Sequence, residues 1–160
     1  MRSFSILLIG VLFASSGCTP HQMEPETTFF RDFSLDQVVK KLGVPELKPS
    51  NAGTGTGTSS GDPTRRRRDF RVTLVLEERS ARFDEASFMK KLRDEISMAL
   101  TAANLRVHNS GTSGDDNFHF DYSNKDHEGW LDVTGARVED NKYKLWGVLR
   151  EDAHKDKKQD

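Results

Sequence analysis

The feature that most constrains the fold is a stretch of sixteen residues, 49 to 64, that has almost nothing to bury. It consists of Gly, Thr, Ser, Pro, Asn, Asp and a single Ala, with an alternating Gly-Thr run at its centre. This composition predicts a flexible linker, because no apolar burial is available to offset the entropy of ordering the chain. The linker divides the sequence and leaves one folded domain of roughly 85 residues.

The overall composition agrees with a chain that is only partly folded. Apolar residues make up 34% of the sequence, whereas globular domains have about 45–50%. The 24 basic and 25 acidic residues give a net charge of −1. This balance lacks the basic excess typical of nucleic-acid-binding proteins, so we expect no nucleic-acid partner.

The N-terminus has the pattern of an export signal. Arg2 precedes a short apolar run over residues 6–14, and small residues then lead to Cys18, the only cysteine. The run is too short for a spanning helix, which needs about 20 apolar residues. An ordinary signal peptide would leave Cys18 as a free thiol in an oxidising compartment. A lipid on its sulfur explains the lone cysteine better.

The sequence Ser15-Ser16-Gly17-Cys18 resembles the lipobox of bacterial lipoproteins. Ser16 and Gly17 occupy its small-residue positions, and Ser15 stands where the family usually has Leu. The resemblance covers residues 1–18 only. It implies a signal peptide over 1–17 and lipid attachment at Cys18, with palmitate among the acyl chains. It also implies a cell-envelope location, anchored to a bacterial membrane and facing outside the cytoplasm.

Residues 18–48 are predicted to be a lipid-anchored spacer that contains a short amphipathic helix. Ser34 and Gln37 form a capping-box pattern, and apolar residues over 35–42 recur on one helical face until Gly43 ends the helix. So short a helix needs a partner for its apolar face. That partner is the chain's own domain, the bilayer surface or another protein.

Residues 49–68 are assigned to the flexible Gly/Thr/Ser linker and a run of four arginines, and residues 69–152 to the folded domain. Alternating apolar residues predict strands over 70–77, 118–122, 130–138 and 143–150. A helix is predicted from Asp84 to about Ala103, with Asn104 in a left-handed conformation after it. The order β-α-β-β-β predicts an α+β fold, a small two-layer sandwich with one long helix on a mainly antiparallel sheet.

The last predicted strand carries apolar residues on both faces, because Trp146 and Val148 alternate with Tyr143, Leu145 and Leu149. The first candidate to cover the second face of the sheet is the segment 29–42. The charged tail over 153–160 is predicted to be disordered.

Two sets of residues are candidates for partner binding. Trp130 and Trp146 lie on neighbouring predicted strands, and tryptophan is favoured at contact surfaces, although a small domain also needs large side chains for its core. The run Arg65, Arg66, Arg67 and Arg68 is either a solvated run at a domain edge or a contact for an anionic envelope polymer.

The sequence shows no pattern typical of an active site. It has no usable cysteine nucleophile, no Gly-rich phosphate loop and no His-Glu-x-x-His pair, so we expect neither an enzyme nor a cofactor. No metal site is predicted. The densest polar cluster contains His119, Asp121, Asp126 and His127, and its simplest interpretation is the solvent face of a strand and its turn.

The sequence therefore predicts a membrane-anchored envelope lipoprotein that acts as a non-catalytic binding or assembly module. Its expected partners are the membrane, through the lipid on Cys18, and another envelope protein or an anionic envelope polymer. The alternative is a metal-binding protein or a metal-dependent enzyme that uses His119, Asp121 and His127.

Overall fold

The computed structural model describes residues 26–44, 47–58, 64–76 and 83–153. The predicted signal peptide, Cys18 and the tail beyond residue 153 lie outside the described residues. No described helix is long and apolar enough to cross a bilayer. The elements of the described part are α1 (Thr28–Asp32), α2 (Leu35–Leu42), β1 (Leu47–Thr58), β2 (Arg65–Leu76), α3 (Glu85–Ala102), β3 (Arg106–Gly111), β4 (Asn117–Ser123), β5 (His127–Glu139) and β6 (Lys142–Ala153).

The strands of the described part form one six-stranded sheet in the order β1-β2-β6-β5-β4-β3. Every neighbouring pair is antiparallel. The last strand, β6, lies at the centre between β2 and β5, while β1 and β3 form the two edges.

The prediction of a flexible linker over 49–68 is wrong for the described residues of that stretch. Residues 47–58 form β1, which pairs with β2 along its length, and the arginine run begins β2. The Gly-Thr alternation matches the period of a strand, so Gly53 lies opposite Arg71 while Thr54 lies opposite Phe70. Backbone hydrogen bonding to a neighbouring strand requires no apolar side chains, and composition therefore failed to detect it.

The predicted fold class, an α+β sandwich of order β-α-β-β-β, is also wrong. The sheet dominates the described part and the fold is mostly antiparallel β, with three helices on one face in place of a single long helix. Helix α3 has 18 residues, but it shares the cover of the sheet with α1 and α2. The error arose because α1, α2 and β1 were assigned to a spacer and a linker.

The predicted bounds of α2 and the predicted cap of α3 are confirmed, but the Ser34 side chain makes no capping hydrogen bond, so the capping box predicted for α2 is wrong. Helix α2 begins after Ser34 and ends at Gly43, whose φ of 59° is in the left-handed region. Helix α3 begins after Asp84, whose carboxylate accepts a hydrogen bond from the Ser87 amide at 3.0 Å. Asn104 follows α3 with a φ of 58°.

All three helices pack on the same face of the sheet. Phe33 of the α1–α2 connection lies edge-on to Phe70 at 5.2 Å between ring centroids, and Phe29 lies edge-on to Tyr122 at 5.6 Å. Helix α3 buries a full stripe against the same face, formed by Phe88, Met89, Leu92, Ile96 and Leu100. Segment 29–42 therefore packs on the chain's own domain, but its predicted position over the second sheet face is wrong.

Two polar side chains fix α1 to the sheet. Glu151 is 1% exposed and accepts hydrogen bonds from the Thr27 amide, at 2.9 Å, and from the Thr27 hydroxyl. Arg68 lies over the Phe70 ring and donates to the backbone carbonyls of Phe30 and Arg31. Both interactions satisfy groups that would otherwise be unpaired at the ends of a short helix.

Candidate functional site: the open face of the sheet

One face of the sheet has no described helix packed on it. Its side chains alternate along each strand with the buried ones, and the strand register places them in rows. We call this surface the open face and define it by Asn51, Gly53, Arg67, Asp69, Arg71, Thr73, Asn117, His119, Asp121, Trp130, Asp132, Thr134, Lys144, Trp146, Val148 and Arg150.

Both tryptophans lie on the open face and not in the core. Trp146 is 37% exposed, and it lies between Arg71 of β2 and Thr134 of β5. Trp130 is half-buried, and its ring lies beside that of His119, with 6.3 Å between the centroids. Because Trp130 lies opposite Arg150, the two tryptophans are separated by about 13 Å along the strands.

Two hollows of opposite character lie beside the tryptophans. The hollow beside Trp130 has a volume of about 350 Å³ and includes Asp121, Glu128 and Asp152 in its lining, with Arg150 as its counter-charge. The hollow beside Trp146 has a volume of about 290 Å³ and contains no carboxylate side chain in its lining. The open face therefore has an acidic half and a basic half.

His119 is held between two carboxylates on the open face. Its Nδ1 lies 2.5 Å from Asp132 Oδ1 and its Nε2 lies 2.8 Å from Asp121 Oδ1. Burial lowers the pKa of His119, but the hydrogen bonds and charges of the two carboxylates raise it by more, so the net shift is upward from 6.5. When the ring is protonated, it donates through both nitrogens and has no lone pair for a metal or a proton.

The structure separates the residues of the alternative metal site. His119 and Asp121 lie together on the open face, whereas His127 shares the helix-covered face with Leu131 and Val133. His127 is 6% exposed, and neither of its ring nitrogens has a hydrogen-bond partner in the described part. Within those residues, no group of three or more His, Cys, Asp or Glu side chains is arranged to hold a metal ion.

The arginine run does not form one patch, because a strand directs successive side chains to opposite faces. Arg68 is held on the covered side, where burial lowers the pKa of its guanidinium group. Arg67 lies on the open face and pairs with Asp69 at 2.8 Å. Arg65 and Arg66 also have interaction partners.

The sequence interpretation missed the residues around Trp146. Arg71, Thr73 and Lys144 were not candidates, although each alternates with buried apolar residues of its strand. That alternation could have assigned them to the face opposite the core. It could not have shown that β2 and β6 are neighbours, which is what brings these residues to Trp146.

No protein-family model matches the chain, and the comparison with curated proteins found no match. Among solved structures, the chain is similar to the crystal structure of LpqN, which is involved in cell envelope biogenesis of Mycobacterium tuberculosis. The two share 8% sequence identity with a TM-score of 0.37, over 66% of this chain and 74% of that one. A TM-score this low leaves the open face to be interpreted from its own residues.

Proposed function

We propose that this chain is a lipid-anchored binding module of the cell envelope and that the open face is its contact surface. The observation that carries the proposal is the display of Trp130 and Trp146 on a sheet face that no described helix covers. The solvated face of an antiparallel sheet is ordinarily polar. Tryptophan offers a large, rigid contact area and is enriched among the residues that dominate binding energy.

The N-terminal sequence supports a location in the cell envelope. The pattern from Arg2 to Cys18 resembles a lipoprotein signal, and two or more acyl chains would hold the protein stably at a bilayer. The described residues begin at Glu26, eight residues after Cys18 (26 − 18 = 8). A chain of that length spans at most about 29 Å, which keeps the sheet close to the envelope surface.

The arrangement of His119 supports a binding role over a catalytic one. A general base needs an imidazole nitrogen free to accept a proton, but both nitrogens of His119 face carboxylates. The ring instead bridges Asp121 and Asp132 on the face. We therefore assign His119 the role of ordering the surface next to Trp130.

The proposal is tested by amine-reactive cross-linking of the full chain in its own cells, followed by mass spectrometry of the membrane fraction. We expect an acylated Cys18 peptide and cross-links from Lys144, which lies on the open face, to one recurrent envelope component. These cross-links should be lost in Trp146→Ala. They should persist in Met98→Ala, because Met98 is 55% exposed on α3 at the opposite side of the sheet.

Two outcomes would reject the two parts of the proposal separately. An unmodified Cys18 would reject the lipid anchor. Cross-links that arise from Lys90 and Lys91 of α3, and that persist unchanged in Trp146→Ala, would reject the open face as the contact surface.

A further inference from the structure

The hollow beside Trp146 is formed where β1, β2 and β6 run side by side. Arg71 of β2 lies opposite Gly53 on one side and Trp146 on the other, and Thr73 lies opposite Asn51 and Lys144 in the next row. These six residues line the hollow. Its volume of about 290 Å³ lies at the lower end of the range for small-molecule sites.

The hollow carries two positive charges that no described residue compensates. Arg71 is exposed and Lys144 is half-buried, and neither has an ion pair or side-chain hydrogen bond within the described residues. Arg67 of the same face, in contrast, is paired with Asp69. Two unpaired cations on neighbouring strands, with no carboxylate lining the space between them, attract an anionic group.

The floor of the hollow is bare backbone. A Cβ atom added at Gly53 would meet no atom within 4 Å, and the same holds for Gly55 and Gly57 farther along β1. These glycines are therefore not needed for packing against the described residues. A glycine in a strand weakens it, and it is found where a ligand approaches the backbone closely.

The wall of the hollow is the exposed indole of Trp146. The negative face of an aromatic ring attracts the C–H groups that line the apolar side of a sugar ring. The Asn51 amide and the Thr73 hydroxyl supply hydrogen-bond donors and acceptors for sugar hydroxyls. An aromatic wall, neutral polar groups and unpaired cations together match a ring that bears both hydroxyls and a negative charge.

We propose that this hollow binds an acidic sugar residue of an envelope glycan, with the ring on Trp146 and its carboxylate or phosphate between Arg71 and Lys144. The inference rests on the proposed function and specifies its ligand class. A glycan fits better than a membrane lipid, because Trp146 is the one exposed apolar side chain among the residues that line the hollow.

The test is calorimetric titration of the full chain with a panel of defined oligosaccharides. The panel contains an oligogalacturonate, its methyl ester, a muramic-acid-containing wall fragment and a phosphorylated wall glycan. We expect at least one acidic member to bind. The oligogalacturonate should bind at least tenfold more tightly than its uncharged ester, and binding should weaken with salt.

Matched variants distinguish binding at this hollow from a nonspecific attraction to positive charge. The double variant Arg71→Ala/Lys144→Ala should weaken binding at least tenfold, whereas Lys90→Ala/Lys91→Ala, which removes the same charge from α3, should leave it unchanged. Gly53→Val should block binding by placing a side chain on the floor. Gly57→Val should not, because Gly57 lies two positions farther along the strand face, opposite Arg67.

Four results would overturn the inference. They are no binding by any acidic member, equal binding of the ester and the acid, equal losses in the two double variants, and binding only to vesicles of phosphatidylglycerol and phosphatidylcholine. If Lys144 still cross-links to an envelope protein after such a result, the proposed function stands and only the glycan assignment fails.

Discussion

The two faces of the central strand β6 differ in the exposure of their side chains. On the covered face, Tyr143, Leu145 and Leu149 are 0% exposed and form the core. On the open face, Lys144 and Trp146, which alternate with these core residues along the strand, remain accessible. The comparison shows that core residues and accessible residues are separated by a single step along the backbone, because successive side chains point to opposite faces.

The largest difference between the faces should appear with Leu145→Ala and Trp146→Ala. We expect Leu145→Ala to lower the free energy of unfolding by about 2–5 kcal/mol, since it opens a cavity in a fully buried site. Trp146→Ala should change it by less than about 1 kcal/mol, because the side chain is substantially exposed. Urea unfolding measures both. Equal losses would mean that Trp146 is part of the core.

Glycines on the two faces provide a second comparison. A Cβ atom at Gly135 would lie 2.2 Å from the Tyr143 hydroxyl oxygen, whereas one at Gly53 would meet nothing within 4 Å. Gly135→Ala should therefore destabilise the fold by about 1–3 kcal/mol. Gly53→Ala should leave it unchanged or stabilise it by about 0.5 kcal/mol. Thermal unfolding measures the stability of both variants. A strong destabilisation by Gly53→Ala would contradict the open space above Gly53 in the hollow beside Trp146.

Adjacent arginines extend the comparison to charged side chains. Arg68→Met should cost about 1–2 kcal/mol, because it removes hydrogen bonds to two α1 carbonyls and a cation over Phe70. Arg67→Met removes only an exposed pair with Asp69 and should cost about 0–1 kcal/mol. If denaturant unfolding showed a larger loss of stability for Arg67→Met than for Arg68→Met, Arg68 would not fix α1 to the sheet.

The smallest effect should be a pH dependence that originates from His119. Its pKa is raised in the folded state, so its contribution to stability is full below about pH 6.5 and is lost as the pH rises through the folded pKa. The stability difference between the wild type and His119→Gln should therefore shrink on going from pH 5 to pH 9. Asp132→Asn should weaken this pH dependence. A stability difference between the wild type and His119→Gln that grows with pH would contradict the raised pKa of His119.

The ends of α2 and α3 were predicted from the sequence, because they depend on local signals. Gly43 ends α2 and Asp84 caps α3, because left-handed termination and capping depend on a few neighbouring residues. Strand β1 was not predicted, because its Gly-Thr side chains bury little and its pairing with β2 depends on residues about twenty positions away. The fold class was therefore wrong even where the individual helices were right.

The candidate site was predicted in part. Trp130 and Trp146 were identified, but their shared exposure on one face depends on the neighbours of β5 and β6 in the sheet. The arginine run was interpreted as one patch because the strand was taken to begin at Phe70 and not at Arg65. His119 and His127 were grouped by proximity in sequence, although alternation within β4 and β5 places them on opposite faces.

The most direct test of the open face is photo-cross-linking from one defined position on each side of the sheet. Thr134→p-benzoylphenylalanine places the probe on the open face beside Trp146, and Met98→p-benzoylphenylalanine places it on α3. Irradiation of cells that carry the full chain should give a discrete adduct with an envelope component from position 134 and none from position 98. An adduct from position 98 alone would contradict the assignment of the open face as the contact surface.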